Sequence, residues 1–388
     1  MLLSQQVRSK YLFTSPLEIV VATAVCHGYT RLVRNALLAA VGGGGFTMRS
    51  QIMPIISAIC FLSSLQLPGL AQAVGDEFCS AGIPCNNMTV YLIHRKGAIS
   101  KTQTMAQSEK FLTLAEALSQ KKVVINETGD VNKLTLQNFG NLPVFIQGGD
   151  IIKGGRQDRA LQSDIVLPPK SKAIAANVFC VESGRWEKRG YEDDKQFSSS
   201  LTSLPTKELK MAANARGDQS AVWNSVAQLQ HDAEKSAHKP VASPTSPSSL
   251  ELTLENRNVQ QQVAQYMQKL TPSIADQQDV VGCAVAINGK VTGGDVYGSH
   301  ALFMKMWPKL INASAVEAFV NQQQQGKLVP PPPAAAVMPM LQGATNGTIG
   351  SVQKGGLADV QLRETKSNIM LKTQDSRGEE YHRNYLMK

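Results

Sequence analysis

The amino-acid sequence predicts an α+β fold with a mainly antiparallel β core and peripheral helices. Short alternating or β-branched runs follow one another from residue 89 to residue 186, separated by Gly, Pro and Lys. A further pair of strands meets at Asn288-Gly289, which suits a tight hairpin because both residues tolerate positive φ. Apolar residues at helical spacing occur in a small number of separate segments.

An export signal precedes this fold. The stretch MRSQIMPIISAICFLSSLQLPGLAQA, residues 48–73, has a basic start, an apolar core and small residues at its end, which is typical of a secretory signal peptide. Its apolar run is shorter than the roughly 18 residues that cross a bilayer. We therefore expect cleavage after Ala73, a secreted or periplasmic mature chain without a stable membrane anchor, and a misassigned N-terminal extension over residues 1–47.

Charge and composition indicate a globular protein that does not bind nucleic acid. The chain has 388 residues and is 43% hydrophobic, enough for a packed core. Removing residues 1–73 takes away five basic residues and one acidic residue, which lowers the net charge from +9 to +5. Because no block of Lys or Arg remains, the sequence argues against nucleic-acid binding.

Four cysteines remain in the mature chain. Cys79 and Cys85 lie close together near the new N-terminus and are predicted to form a disulfide in an oxidising compartment. Cys180 and Cys283 lie in apolar, strand-like runs, where buried thiols are more common than reactive ones. Neither the cysteines nor the scattered histidines have the spacing of a metal site, and no cofactor is predicted.

The first part of the mature chain is predicted to be mainly β. Residues 89–95 form a strand, and Thr113 with Glu116 forms a capping box for a helix starting near residue 114. Further strands are predicted in KKVVINETG, KLTLQN, PVFIQGGDII, SDIVLPP and AIAANVFCVE. From residue 198 to residue 250 the composition turns polar, and we expect an exposed, mobile insert that contains one helix and the Pro/Ser-rich loop KPVASPTSPSSL.

A second ordered block is predicted from residue 258 to residue 325. It begins with an amphipathic helix, continues with the Asn288-Gly289 hairpin and ends with a helix capped by Ser299, whose continuation Pro308 should disturb. The ordered domain is thus expected over residues 74–325. Residues 326–388 are expected to be a Pro-rich spacer, with Pro330–Pro333 at its centre, and a C-terminal tail with one strand, SNIMLKTQD.

The stretch GGDIIKGGRQDR, residues 148–159, allows two interpretations. Gly pairs let backbone N–H groups approach a ligand, and Lys153, Arg156 and Arg159 could bind phosphate or carboxylate. Alternatively, the glycines mark a bulge and a hairpin turn whose charges face solvent. The stretch is neither a Walker A loop nor a dinucleotide fingerprint.

The stretch CVESGRW, residues 180–186, supplies further polar groups. Glu182, Arg185 and Trp186 could complete a polar pocket beside the Gly-rich stretch, with Asp158 and Glu182 as acid/base residues. The alternative is a structural ion cluster in which Glu182 and Arg185 pair with Arg159 and Asp158.

These stretches, together with QSAVWNSV and GCAVAINGKVTGGDVYGSHALFMKMWPKL, resemble the ARPP domain, a family named for its association with ADP-ribosylglycohydrolase and rhodanese-phosphatase proteins. The resemblance covers most of residues 85–325 and points to a site without naming a reaction. The matching positions are Gly154, Gly155, Gln157, Asp158, Arg159, Cys180, Glu182, Gly184, Arg185 and Trp186.

Two functions are therefore predicted. In the first, an exported ARPP-like protein binds a small anionic ligand, nucleotide-derived or sugar-derived, at the Gly-rich hairpin. Asp158 and Glu182 would be its acid/base residues if it is an enzyme, and the ligand contacts would come from Gly154, Gly155, Arg156, Gln157, Arg159, Arg185 and Trp186. In the second, the domain is a structural or protein-interaction module of the cell envelope that has no small ligand.

Overall fold

A computed structural model of the chain describes residues 73–74, 76–96, 111–185, 187, 196–322, 329–343 and 347–388. Almost all of the predicted extension and signal peptide lies outside these residues. The described part contains three β-sheets and several helices, and nearly every strand pair is antiparallel, as the predicted α+β class requires. None of its helices is long and apolar enough to cross a membrane.

The largest sheet joins the beginning and the end of the described chain. Its path runs β1-β2-β4-β14-β15-β19-β18-β17-β16, and β3 also pairs with β4. The strands are β1 (Ala73–Val74), β2 (Glu77–Cys79), β3 (Ile83–Cys85), β4 (Met88–Arg95), β14 (Val280–Ile287), β15 (Lys290–Tyr297), β16 (Thr348–Gly355), β17 (Ala358–Glu364), β18 (Asn368–Asp375) and β19 (Glu380–Met387).

Two smaller sheets carry the Gly-rich stretch. One has the order β13-β9-β10-β12-β7-β6 and the other β11-β8-β5. Their strands are β5 (Leu112–Thr113), β6 (Val123–Glu127), β7 (Lys133–Asn138), β8 (Val144–Ile146), β9 (Asp150–Gly154), β10 (Arg159–Leu161), β11 (Ile165–Leu167), β12 (Ile174–Cys180) and β13 (Phe197–Ser203).

The helices begin where the sequence places caps. Thr113 and Glu116 form the predicted capping box, with a 2.8 Å hydrogen bond from the Thr113 amide to Glu116 Oε2. The helices are α1 (Leu114–Ser119), α2 (Lys207–Lys210), α3 (Gln219–Ala237), α4 (Leu250–Leu254), α5 (Arg257–Leu270), α6 (His300–Val320) and α7 (Met338–Gly343). A π-helix, Met211–Arg216, follows α2, and short 3₁₀ turns cover Thr271–Ile274 and Ala334–Ala336.

Helix α6 lies at the centre of the main core. Phe303, Trp307 and Ile311 are among its many buried side chains, and they pack in the same core as residues of α3, α5 and β14. The helix continues past Pro308 to Val320, so the predicted disturbance is wrong. Pro308 itself is exposed, and the buried side chains on both sides of it hold the helix in place although proline removes one backbone donor.

The predicted hairpin at Asn288-Gly289 is confirmed. Asn288 has φ 50° and Gly289 has φ 76°, the positive values that a two-residue turn between β14 and β15 requires. The apolar positions predicted for helices are buried as well: Val222, Val226 and Leu229 in α3, and Val259 in α5.

The predicted disulfide between Cys79 and Cys85 is wrong, because both thiols are free. Cys79 is paired with Ile93 of β4, whereas Cys85 is paired with Met88 at the other end of the same strand. At about 3.3 Å per residue, these positions are about 16 Å apart, well beyond the reach of a disulfide.

Two segments that the sequence treats as peripheral are part of the fold. Residues 198–250 are predicted to form an exposed, mobile insert, but Leu204 and Leu209, outside the predicted helix, are fully buried in the main core. The C-terminal segment has four strands, β16 to β19, where one was predicted, and β19 pairs directly with β15. The Pro-rich segment packs on the large sheet, where Tyr91 Oη donates to the Pro332 carbonyl.

Candidate functional site

The Gly-rich stretch forms a β-hairpin. Strand β9 ends at Gly154, β10 begins at Arg159, and residues 155–158 make the turn. Gly154 has φ 107°, and a Cβ atom there would lie 2.2 Å from the Gln196 carbonyl oxygen. Glycine is therefore required at this position because the backbone of Gln196 approaches it closely, whether or not a ligand binds.

Protein carboxylates already occupy two backbone donors of the hairpin turn. The Gly154 amide donates to Asp158 Oδ1 at 3.0 Å, and the Arg156 amide donates to Glu127 Oε1 at 3.1 Å. An anion at the turn would have to displace these acceptors. The geometry thus corresponds to the turn interpretation of the glycines more closely than to an anion cradle.

The arginines of the stretch have separate environments. Arg159 is 2% exposed, and its Nη1 lies 2.9 Å from Glu127 Oε1 while its Nε donates to the Val131 carbonyl at 2.9 Å. Arg156 is exposed. Arg159 is thus part of an internal ion pair, and of these two arginines only Arg156 faces solvent.

Asp158, Glu182 and Arg185 do come together, as the sequence predicts. The Val181 amide donates to the Asp158 carbonyl at 3.1 Å, which holds the end of β12 against the hairpin. Arg185 Nη2 lies 2.6 Å from Glu182 Oε2 and 3.9 Å from Asp158 Oδ1. Both carboxylates are fully buried, and Gln157 Nε2 donates to the Arg185 carbonyl.

Glu251 joins this group from helix α4, and the sequence did not single it out. It lies in the first turn of the helix, which Ser249 caps, and its Oε1 lies 3.5 Å from Lys153 Nζ. Burial raises the pKa of Glu251 to about 7, against the opposing effect of Lys153. We call Gln157, Asp158, Glu182, Arg185 and Glu251 the carboxylate cluster.

A Pro/Ser-rich loop covers the cluster. Ser246 Oγ donates to Glu182 Oε1, and Ser248 Oγ donates to the Ser183 carbonyl. Glu182 and Ser249 form an isolated antiparallel bridge. The only local sequence signal for these contacts is Ser249 in front of the short apolar run of α4. It is too weak to place Glu251 next to Asp158 and Glu182, which are 93 and 69 positions earlier.

Trp186 and Cys180 are two further residues of the CVESGRW stretch that the sequence singles out. Trp186 lies outside the described residues. Cys180 is buried, its thiol lies 2.7 Å from the Glu182 carbonyl, and burial raises its pKa, so the thiol is unlike a reactive cysteine.

A second buried polar group lies between two sheets and was also missed. His382 Nδ1 lies 2.7 Å from Asp164 Oδ2, and His382 Nε2 lies 3.0 Å from Asp295 Oδ1. Burial opposes the charged imidazole, but the two carboxylates raise the pKa of His382 to about 9. The Gly148 amide donates to Asp164 at 2.7 Å, which links this group to the start of the Gly-rich stretch.

The described residues contain no group of His, Cys, Asp and Glu side chains suited to holding a metal ion. Neither the carboxylate cluster nor the His382 group therefore resembles a metal centre in this part of the chain. What the carboxylate cluster can do chemically is accept hydrogen bonds, through Asp158 and Glu182, and exchange a proton near neutral pH, through Glu251.

Comparison with known proteins identifies the family. Residues 79–383 match the ARPP-1 family, the ARG and Rhodanese-Phosphatase-superfamily-associated Protein domain. No curated protein and no solved structure matches the chain. The match includes the hairpin, the end of β12, helix α4 and almost all of the C-terminal strands. Because it covers most of the sequence, the chain belongs to the ARPP-1 family.

Proposed function

We propose that the carboxylate cluster binds a small, hydroxyl-rich ligand of the sugar-derived kind. The observation that carries the proposal is a set of buried polar atoms, Gln157 Oε1, Arg185 Nε and Glu251 Oε2, that have no hydrogen-bond partner among the described residues. A buried polar group without a partner costs about 1–3 kcal/mol. Hydroxyl groups, which both donate and accept, can serve all three atoms.

The charge of the cluster favours a neutral ligand over a phosphate. Three carboxylates, those of Asp158, Glu182 and Glu251, lie beside the two cations Arg185 and Lys153. Arg159, the other candidate for anion binding in the hairpin, is engaged by Glu127. A phosphate would add negative charge to a site without a cation to spare, whereas a neutral sugar avoids this repulsion.

Glu251 is the group in the cluster best suited to proton transfer. Its pKa of about 7 lets it hold a proton or release it near neutral pH, which is the range where general acid/base catalysis is most effective. In this proposal Asp158 and Glu182 bind and orient ligand hydroxyls, and Glu251 supplies or accepts the proton if the ligand reacts.

We also propose that the protein is exported by cleavage after Ala73. Support comes from the pattern of residues 48–73 in the sequence. Free nucleotides are scarce outside the cytoplasm, which adds to the preference for a sugar-derived ligand. N-terminal sequencing of protein recovered from the periplasm or medium tests this: a mature chain starting at Val74 supports export, and a chain that keeps residues 48–73 contradicts it.

A structural or protein-interaction module of the envelope is the second candidate function. The ion pairs Arg159–Glu127 and Arg185–Glu182 favour it, because both are internal and at least one partner in each is almost fully buried. In this case the cluster would fasten the loop and α4 to the hairpin and would have no ligand.

A thermal-shift titration separates the two candidates. The purified protein would be tested with maltose, N-acetylglucosamine, glucose 6-phosphate, AMP and ADP-ribose, alongside Glu182→Gln and the matched surface variant Arg156→Ala. Saturable stabilisation by a neutral sugar, kept in Arg156→Ala and lost in Glu182→Gln, supports the sugar site, because a ligand that binds only the folded state raises its stability. Stabilisation by phosphates alone, lost in Arg156→Ala, or no stabilisation at all contradicts it.

A further inference from the structure

The carboxylate cluster is closed in this structure. Asp158 and Glu182 are fully buried, and Gln157 and Glu251 are nearly so. A ligand of several heavy atoms can reach these side chains only if a covering segment moves. The hairpin and β12 are held by continuous ladders of backbone hydrogen bonds. The loop over Glu182, residues 242–249, is therefore the covering segment that can move at the lowest cost in free energy.

That loop, residues 242–249, is attached to the domain at both ends, and between them it is held by polar contacts of Ser246, Ser248 and Ser249. Val241 before it and Leu250 after it are fully buried in the main core. Between these anchors no side chain belongs to an apolar core cluster, and Pro244, Thr245 and Pro247 are exposed.

Hydrogen bonds hold the loop down over Glu182. Ser246 Oγ donates to Glu182 Oε1, Ser248 Oγ donates to the Ser183 carbonyl, and Gln230 Nε2 donates to the Pro247 carbonyl at 2.8 Å. The Ser246 hydroxyl thus uses an oxygen of the very carboxylate that the ligand would contact. A ligand hydroxyl that replaced it would form an equivalent bond.

We propose that residues 242–249 are a lid that opens to admit the ligand to the carboxylate cluster, with Ser246 as its latch on Glu182. The proposal rests on the proposed ligand site, but the opening of the lid can be measured without a ligand. The anchors at Val241 and Leu250 act as the fixed ends of the movement, so the core need not unfold when the lid opens.

Hydrogen exchange of individual amides tests the opening. The reporter is Ser249, whose amide donates to the Ser246 carbonyl within the loop, and the reference is Val178 in β12, whose amide donates to the Asn132 carbonyl. We expect Ser249 to exchange at least a hundredfold faster than Val178, relative to their intrinsic rates, because a local opening needs less energy than global unfolding.

Two variants identify the latch. Ser246→Ala should speed the exchange of Ser249 by roughly ten- to a hundredfold, the factor for one lost hydrogen bond to a charged group, and should leave Val178 unchanged. Thr245→Ala, at the exposed neighbouring position, is the matched control and should change neither amide. Exchange of Ser249 as slow as that of Val178, and unaffected by Ser246→Ala, would show a static loop and overturn the proposal.

A disulfide lock links the lid to binding. Ser183 and Ser248 are opposite each other in the antiparallel register that the Glu182–Ser249 bridge defines, so cysteines there have their Cα atoms about 5 Å apart, within disulfide range. The oxidised Ser183→Cys/Ser248→Cys variant should lose binding of maltose and N-acetylglucosamine by at least tenfold, and reduction should restore it.

The outcomes of the two experiments are distinct. Equal binding in the oxidised and reduced forms contradicts the lid but leaves the site intact. If neither form nor the native protein binds a sugar while Ser246→Ala still speeds exchange, the proposed function fails and the loop remains a mobile cover. The native cysteines of the described residues are all buried, so they should not compete for the engineered bond.

Discussion

Glu127 Oε1 lies 2.9 Å from Nη1 of Arg159 and 3.1 Å from the amide of Arg156, so one carboxylate from β6 fastens both the turn and the second strand of the Gly-rich hairpin. The Arg159 guanidinium is therefore held inside the protein and does not face solvent. Because of this ion pair, substitutions of Arg159 should lower the stability of the fold, whereas substitutions of the exposed Arg156 should not.

Arg159→Ala is expected to lower the free energy of unfolding by about 3 kcal/mol, because it leaves the partly buried Glu127 without its charge partner. Arg156→Ala should change it by less than about 0.5 kcal/mol, because that side chain is exposed. Urea denaturation of both variants measures the difference. Equal stabilities would contradict the internal role of Arg159.

Gly154→Ala is expected to destabilise the protein by about 3 kcal/mol, through both its positive φ and the overlap of the new Cβ with the Gln196 carbonyl. Gly129→Ala is the matched control. Gly129 has φ 86° but nothing within 4 Å of an added Cβ, so only the backbone effect of about 1 kcal/mol remains. Thermal denaturation should rank the two variants in this order, and the reverse order would contradict the close approach of β13.

His382 should make stability fall at alkaline pH. Its pKa is raised in the folded protein from 6.5 to about 9, so its contribution is complete below pH 6.5 and is lost as the pH rises through 9. The loss is expected to reach about 3 kcal/mol for a shift of this size. Urea denaturation of the native protein and of His382→Gln, from pH 6 to pH 10, measures it. Parallel pH profiles for the two proteins would contradict a charged His382.

Glu251 should also make stability fall with rising pH, but over a lower pH range than His382. Its pKa is raised from 4.5 to about 7 in the folded protein, so its stabilising contribution is present below pH 4.5 and is lost as the pH rises through 7. Glu251→Gln, which resembles the protonated form, should therefore raise the free energy of unfolding at pH 8 by about 1–3 kcal/mol and leave it little changed at pH 4. Glu208→Gln, at an exposed glutamate of α2, is the control and should lack this pattern in denaturation curves at the two pH values.

Local signals in the sequence were reliable guides to local structure. The Thr113–Glu116 capping box, the Asn288-Gly289 turn and the apolar stripe of α3 depend on neighbours within a few residues, and each is present in the structure. The predicted meeting of Asp158 with Glu182 and Arg185 also holds, because β10 and β12 are neighbouring strands.

Contacts between residues far apart in the chain could not be predicted from the sequence. Glu251 meets Lys153 and His382 meets Asp164 through the packing of separate sheets and helices, and no spacing rule connects residues so far apart in the chain. The disulfide failed for a related reason. Cys79 and Cys85 are close in sequence, but the chain between them extends along β4 and carries them to opposite ends of that strand.

The order of strands in the large sheet has a consequence for how the chain reaches its native state. Strand β4 pairs with β14, about 190 residues later, and β15 pairs with β19, so the contact order of this sheet is high and its assembly is expected to be slow. During synthesis, β15 would remain an unpaired edge until Glu380–Met387 had emerged. A chain truncated before β19 would leave the β15 edge free to pair with another copy of the chain. Correct folding of the large sheet therefore depends on the last strand, β19.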